Sequence, residues 1–468
     1  VTPALLGSFL AMMAIGVPVA IAMAGSALVY ILLTGDLPAF VVVHRMISGI
    51  DSFPLLAVPF FIMAGNLMNH AGITNRIYNF ALALVGWLKG GLGHVNILGS
   101  VIFAGMSGTA IADAAGLGTI EIKAMRDHGY DMGFSVGVTA ASATLGPIIP
   151  PSLPFVIYGM MANVSVGQLF LAGIVPGAVM AILMMLTVAY YAHKYHWGGD
   201  VAFEWHRVGK AFVELAVVVG FPLVMWGLVA GVDLPFNLAL GIGMLALFVA
   251  DYIWKFDAVM PIMTPVLLIG GMTTGVFTPT EGAIAACVWA LILGLAWYRT
   301  LTWRMLAKVA MDTIETTATV MFIVAAASIF GWLLTATRVT DFVAAWVLSF
   351  THSPWVFLLL ANLLMLFVGC FLEPTAAILI LVPVLMPVIQ QLGIDPVHFG
   401  LVMVLNLMIG LLHPPMGMVL FVLARVANMS IERTTMAIVP WLVPLLLSLI
   451  LITYVPQISL WLPHVFYK

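Results

Sequence analysis

Residues 105–131 read GMSGTAIADAAGLGTIEIKAMRDHGYD, and residues 369–395 read GCFLEPTAAILILVPVLMPVIQQLGID. The two stretches open on a glycine, close on Gly-x-Asp and start 264 positions apart (369 − 105). The same offset relates Gly129 to Gly393, Asp131 to Asp395, Gly146 to Gly410, Pro150 to Pro414 and Pro151 to Pro415. Glycine and proline restrict what the backbone can do, so matches at these residues point to one structural unit present twice. In an apolar chain, such a duplication is the mark of a carrier built from two related halves.

The chain is apolar enough for that reading. Of 468 residues, 63% are hydrophobic and 7% charged, and the mean hydropathy is +1.17. No water-soluble shell can be built from this composition. A helix needs roughly 20 apolar residues to cross a bilayer, which leaves room for about a dozen crossings in one polytopic domain. The first apolar run is too long for a signal peptide and reads as a true span. The formal net charge of −3 and the lack of a basic run give nucleic acid no foothold. Cys287 and Cys370 each sit inside an apolar stretch, so no disulfide framework is expected. No HExxH, paired CxxC or GxGxxG stands in a context that supports metal or nucleotide enzymology, and the chain reads as a non-enzyme.

Two pairs of apolar runs differ from the rest. Runs 93–107 and 110–126, and runs 354–372 and 374–391, are joined by only two or so residues, Gly108-Thr109 and Glu373-Pro374. Each arm is barely long enough to cross, so each pair reads as a re-entrant helical hairpin with its tip in mid-membrane. Stretches 38–50 and 302–313 carry His44, Arg45, Arg304 and Lys308 among apolar residues, as amphipathic helices lying along a membrane surface would. Runs 4–34 and 262–299 are each read as one apolar stretch.

Repeat one is placed at about 1–193, connecting helices at about 211–254 and repeat two at about 262–459. With five crossings per repeat and two between them, the second repeat starts on the opposite face, so the repeats are inverted. With the N-terminus outside, eleven Lys and Arg residues face the cytoplasm and five the exterior, as the positive-inside rule favours.

The Gly-Pro segments ASATLGPIIPPS (141–152) and LNLMIGLLHPPMG (405–417) read as helix breaks. Proline has no N–H. Pro150 and Pro151 therefore free the carbonyls of Gly146 and Pro147, and Pro414 and Pro415 free those of Gly410 and Leu411. Unpaired carbonyls in hydrocarbon cost several kcal/mol each unless satisfied. A hard monovalent cation such as Na⁺ would satisfy them, and broken helices of repeat carriers bind such ions. The other reading of each break is a kink relieved by water or a neighbouring hydroxyl.

Ser107-Gly108-Thr109 and Glu373-Pro374-Thr375 each precede a helix whose N-terminus points into the membrane and favours an anion such as a substrate carboxylate. Glu373, ionisable at that depth, is a functional residue or an N-cap of the second arm. Asp113, four residues past Thr109, is a site residue or serves the start of its own helix, and Glu281 reads as part of the cap at Thr278-Pro279-Thr280-Glu281.

Taken in order, GMSGTAIADAAGLGTIEIKAMRDHGYD, ASATLGPIIPPSLPFVIYG, FTPTEGA, GCFLEPTAAILILVPVLMPV with GIDPVHFG, and GLLHPPMGMVLFV resemble the large membrane subunit, DctM type, of tripartite ATP-independent periplasmic (TRAP) transporters. The resemblance covers nearly the whole chain. It implies a sodium-driven importer of small organic acids in the bacterial inner membrane that works as an elevator. It also implies two partners, a small four-helix membrane subunit and a periplasmic substrate-binding protein. By the resemblance, one sodium site draws on Ser107, Gly146, Ile149 and Pro151. The other draws on Gly369, Thr375, Gly410, His413 and Pro415, mostly through main-chain oxygens. The family more often has Thr at 413 and Asp at 373, so His413 leaves room for a proton dependence. The alternative is a stand-alone ion-coupled dicarboxylate carrier that needs no binding protein.

Overall fold

The computed structural model describes residues 2–414 and 417–467. Apart from one isolated bridge between Lys89 and Gly199, every regular element among them is helical. The first stretch holds α1 (Thr2–Ala14), α2 (Val19–Thr34), α3 (Phe40–Ile50), α4 (Ala57–His70), α5 (Ile73–Val85), α6 (Gly91–Ser107), α7 (Ala110–Ala115), α8 (Leu117–Asp127), α9 (Met132–Ala143), α10 (Leu153–Ala162) and α11 (Val166–Lys194). Two helices follow, α12 (Trp205–Trp226) and α13 (Phe236–Trp254). The last stretch holds α14 (Val259–Thr273), α15 (Pro279–Leu291), α16 (Trp303–Ala336), α17 (Val339–Phe350), α18 (Pro354–Gly369), α19 (Pro374–Gln391), α20 (Pro396–Gly410), α21 (Met418–Val426), α22 (Ile431–Ile438), α23 (Leu442–Tyr454) and α24 (Gln457–Phe466).

Among the described residues, eight helical stretches are long and apolar enough to cross a bilayer, and several of the shorter helices are apolar as well. α12 and α13 expose Leu223, Trp226, Leu245 and Tyr252, side chains suited to lipid rather than water. The chain is a multi-pass membrane protein.

The runs at 4–34 and 262–299 are each two helices rather than one. Gly16 (φ 85°) and Gly275 (φ 74°) take the left-handed backbone that turns a chain out of a helix, and Pro18 and Pro279 cannot donate back into one. The stretch 302–313 is also corrected. It is the first part of the 34-residue helix α16, roughly 51 Å long at 1.5 Å per residue, and not a separate surface helix. Its counterpart α3 does end, because Asp51, Ser52 and Pro54 interrupt the chain before α4, whereas 314–319 (IETTAT) contains no proline or glycine to stop it.

The two stretches pack reciprocally. α2 lies against α16 while α4 lies against α15, α10 packs on α19 while α21 packs on α7, and α9 meets α22 while α20 meets α11. Such exchange of counterparts is what a two-fold relation between halves produces. The repeated Gly-x-Asp also finds its reason. Gly129 (φ 80°) and Gly393 (φ 68°) turn the chain out of each hairpin. Asp131 then caps α9, accepting from Phe134 N at 3.1 Å, and Asp395 caps α20, accepting from Val397 N at 2.8 Å.

Each hairpin's first arm is joined to its broken helix by a fully buried polar bridge. Ser142 Oγ donates to Asn96 Oδ1 (2.7 Å) and Asn96 Nδ2 to Thr139 Oγ1 (2.8 Å), linking α6 to α9. Asn406 Nδ2 donates to Asn362 Oδ1 (2.8 Å), and Asn362 Nδ2 to Thr453 Oγ1 (3.1 Å), linking α18 to α20 and α23. An aliphatic residue at one end strands the other. Asn96→Leu is therefore expected to cost about 1–3 kcal/mol, read as a lower thermal midpoint of the purified protein.

Candidate functional site

The hairpin tips meet the breaks of the two interrupted helices. Tip one turns at Gly108 (φ 65°), where a Cβ would lie 2.7 Å from the carbonyl oxygen of Pro151. Thr109 then caps α7, its Oγ1 accepting from Ala112 N at 3.2 Å. A Cβ on Gly146 would lie 2.9 Å from the Thr109 carbonyl oxygen, so only glycine lets break one approach this tip. From behind, Gly173 and Gly177 of α11 seat Ile148 and Ile149. In the second half, a Cβ on Gly410 would lie 2.6 to 2.7 Å from three backbone atoms of Gly369. Breaks one and two each fall midway along a helix pair, α9 to α10 and α20 to α21.

Between the tips lies a cavity of about 520 Å³. Ser107, Thr109, Glu373, Pro374 and Thr375 line it, together with Pro147 and Leu411 from the breaks. These are five of the six residues expected to meet substrate. Gly108, the sixth, supplies the turn between Ser107 and Thr109. The opposite wall was not expected. Asn66, Asn69 and His70 of α4 and Thr316 of α16 face the tips there. Asn66 Nδ2 donates to Thr313 Oγ1 (3.3 Å), and the His70 ring Nδ1 is 2.9 Å from the Asn66 carbonyl. Polar residues spaced three and four apart along an otherwise apolar helix were the available signal.

The residues expected around sodium fall into two groups. Ser107, 3% exposed with its Oγ unpartnered, directly precedes Gly108 and Thr109, which approach Pro151 and Gly146 of break one, while Ile149 packs on Gly177 of α11. Gly369 and Gly410 touch each other, and Thr375 is buried at tip two. Pro415 lies outside the described residues.

Two of the four carbonyls expected to be free are in use. Ser152 Oγ donates to the Pro147 carbonyl at 2.5 Å, and His413 N to the Gly410 carbonyl at 3.1 Å. A hydroxyl and a tightened last turn do locally what proline prevents at long range. No described group donates to the Gly146 carbonyl. Ser152→Ala removes both the Pro147 bond and the α10 cap to Phe155 N. It is expected to lower stability by about 1–3 kcal/mol in thermal unfolding.

The acidic residues are also placed. Glu373 sits at the N-cap position of α19 beside the N–H groups of Thr375 and Ala376, yet its side chain closes no capping bond, and its Oε2 is buried without a partner. Thr109 caps α7, and Asp113 stands in the first turn of that helix. It is 1% exposed and lies near Glu121, 2% exposed, behind tip one. Glu281 forms the expected capping box with Thr278, at 2.8 and 3.3 Å.

A helical membrane protein whose cavity is bounded by two tight hairpins and two interrupted helices, with hydroxyl, amide and carboxyl groups set into an otherwise apolar lining, has the make-up of a transporter. Residues 6–458 match the family model described as tripartite ATP-independent periplasmic transporter, DctM component. The chain is 41% identical, over 96% of both chains, to the sialic acid TRAP transporter large permease protein SiaM of Vibrio cholerae. It is 33% identical, over 98% of both chains, to the C4-dicarboxylate TRAP transporter large permease protein DctM of Rhodobacter capsulatus. Its fold is similar to that of the YdaH transporter of Alcanivorax borkumensis, with a TM-score of 0.54 at 16% identity, covering 90% of this chain and 86% of that one. The chain belongs to the DctM family, the large permease component of TRAP transporters.

Proposed function

We propose that this chain is the membrane component of a sodium-coupled importer of small organic acids in the bacterial inner membrane. A small four-helix membrane subunit completes it, and a periplasmic binding protein delivers the substrate. The observation that carries this reading is the cavity itself, bounded on one side by both hairpin tips and on the other by α4 and α16. Reciprocal helix packing supports two inverted repeats at about 1–193 and 262–459, with α12 and α13 between them.

Sodium would bind where tip and break meet in each repeat. Ser107 Oγ and the Gly146 carbonyl, both without donors, favour the first site. With an ion in place, the tips are held against the breaks and the pocket hydroxyls are fixed for a carboxylate. Unless ion and acid are both loaded, carrying this polar pocket across the apolar barrier is unfavourable. The moving part would comprise hairpins and broken helices, sliding as an elevator against α2, α4, α15 and α16, with α3 and the first turns of α16 as bracing arms.

The test is uptake by proteoliposomes holding the chain with its small subunit, with and without the binding protein, under an inward sodium gradient. Uptake that needs sodium and the binding protein supports the proposal. Sodium-driven uptake without the binding protein would favour the stand-alone carrier.

A further inference from the structure

Behind tip one, hairpin one holds two carboxyls that no cation answers. Asp113 sits in the first turn of α7 and Glu121 in α8, both buried and close enough to repel each other. Asp113 Oδ2 and both carboxyl oxygens of Glu121 are buried without a hydrogen-bond partner. The Glu121 carboxyl fills a notch that Gly99 of α6 leaves open, since a Cβ there would lie 2.8 Å from Oε1. The Ser100 hydroxyl stands beside Asp113. Neither acid lines the cavity between the tips.

The surroundings supply no compensating charge. Among the described residues no Lys, Arg or His pairs with either acid. The two helices pack on α5, α6, α9 and α21 as well as on each other. From α5 come Tyr78, whose phenol faces Glu121, and Arg76, which stands 3.8 Å over the Tyr298 ring. From α6 comes His94, set about 140° round the helix from Gly99 at roughly 100° per residue. α9 carries no titratable side chain beyond its cap Asp131, and Arg425 of α21 is exposed, as are Lys123, Arg126 and Asp127 of α8 itself.

Two neighbouring carboxylates inside a membrane protein cannot both stay ionised without a cation between them. A shared proton is the smallest cation that serves, because it makes one acid a donor to the other. The pair is also tied to the tip. Asp113 N donates to the Thr109 carbonyl (3.3 Å), whose oxygen is the atom that Gly146 of break one approaches. α7 ends and α8 begins at Gly116, between the two acids, so movement of the tip changes their spacing. A sodium ion held at tip one adds a second positive charge to the same hairpin, and that repulsion favours loss of the proton.

We propose that Asp113 and Glu121 form a proton-binding site behind tip one, separate from the substrate cavity, and that its proton leaves as sodium binds at the tip. The carboxyl O–H bond breaks, the electron pair stays on the carboxylate and the proton passes to water. The inference rests on the sodium reading above and adds a second ion to it.

The experiment uses the chain purified with its small subunit, in weak buffer near neutral pH with a pH-indicator dye, and adds sodium chloride against choline chloride at equal ionic strength. Sodium binding is followed in parallel by the rise in thermal midpoint. Sodium is expected to release protons, at most about one per chain, and its apparent affinity to fall with falling pH by at most about tenfold per unit. In Asp113→Asn and in Glu121→Gln, each a near-isosteric neutral form, sodium is expected still to raise the midpoint, with no proton released and no dependence of its affinity on pH. Either variant suffices should the other fail to fold. Release that persists in the variants, as from His413, or no release from the unaltered chain while sodium binds, overturns the inference and leaves the sodium reading standing. Loss of sodium binding itself in both variants would put sodium between the acids and overturn their assignment to a proton. If sodium never shifts the midpoint of the unaltered chain, both readings fall.

Discussion

Gly410→Val is expected to bring sodium-driven uptake down to background while the protein still inserts into the membrane. The reason is backbone proximity. Any Cβ at 410 falls 2.6 to 2.7 Å from the Gly369 backbone, far inside contact distance, and main chain cannot step aside as a flexible side chain can. The added isopropyl group pushes hairpin two off the second break, which would open the proposed second ion site and tilt Thr375 away from the pocket. Insertion depends on the apolar surface, which is untouched. Gly146→Val should behave alike, because its Cβ meets the Thr109 carbonyl at 2.9 Å. Uptake assays together with a membrane-fraction blot check both, and transport retained in either variant counts against the site it was meant to break.

The second large effect is expected at Glu373. Its Oε2 is buried against the cavity without a partner, and leaving a buried polar group unmatched costs about 1–3 kcal/mol. Glu373→Leu should therefore lower kcat/KM for uptake by about 10- to 100-fold, since each 1.4 kcal/mol is a factor of ten. An N-cap role alone would leave uptake nearly unchanged and lower the thermal midpoint instead. The two measurements in parallel separate the roles.

Much of this arrangement was legible in the chain. The Gly and Pro residues at 105, 146, 150 and 151 recur at 369, 410, 414 and 415, and at Gly146 and Gly410 the structure gives the reason, since a Cβ there would meet the backbone of Thr109 and of Gly369. Both Gly-x-Asp pairs mark a left-handed turn followed by a helix cap, and both hairpins stood out from their short arms. Carbonyl occupancy was not legible. Proline shows which long-range bond is lost, but not that Ser152 Oγ or His413 N closes a shorter one.

The α4 wall was missed for a different reason. Gly65–Thr74 (GNLMNHAGIT) and Gly331–Thr340 (GWLLTATRVT) share their first glycine and last threonine, and what they share hides where they differ. Asn66, Asn69 and His70 stand where the second copy has Trp332, Thr335 and Ala336. The split of α3 from α4, against the continuous α16, likewise turns on one local feature, the interrupting residues 51–54.

The most direct test of the account is initial uptake of the delivered acid by proteoliposomes holding the chain, its small subunit and the binding protein, with sodium outside replaced by choline at equal ionic strength. The account predicts accumulation against a gradient in sodium and none in choline, with Gly146→Val and Gly410→Val inactive in both. Equal accumulation in choline would contradict it.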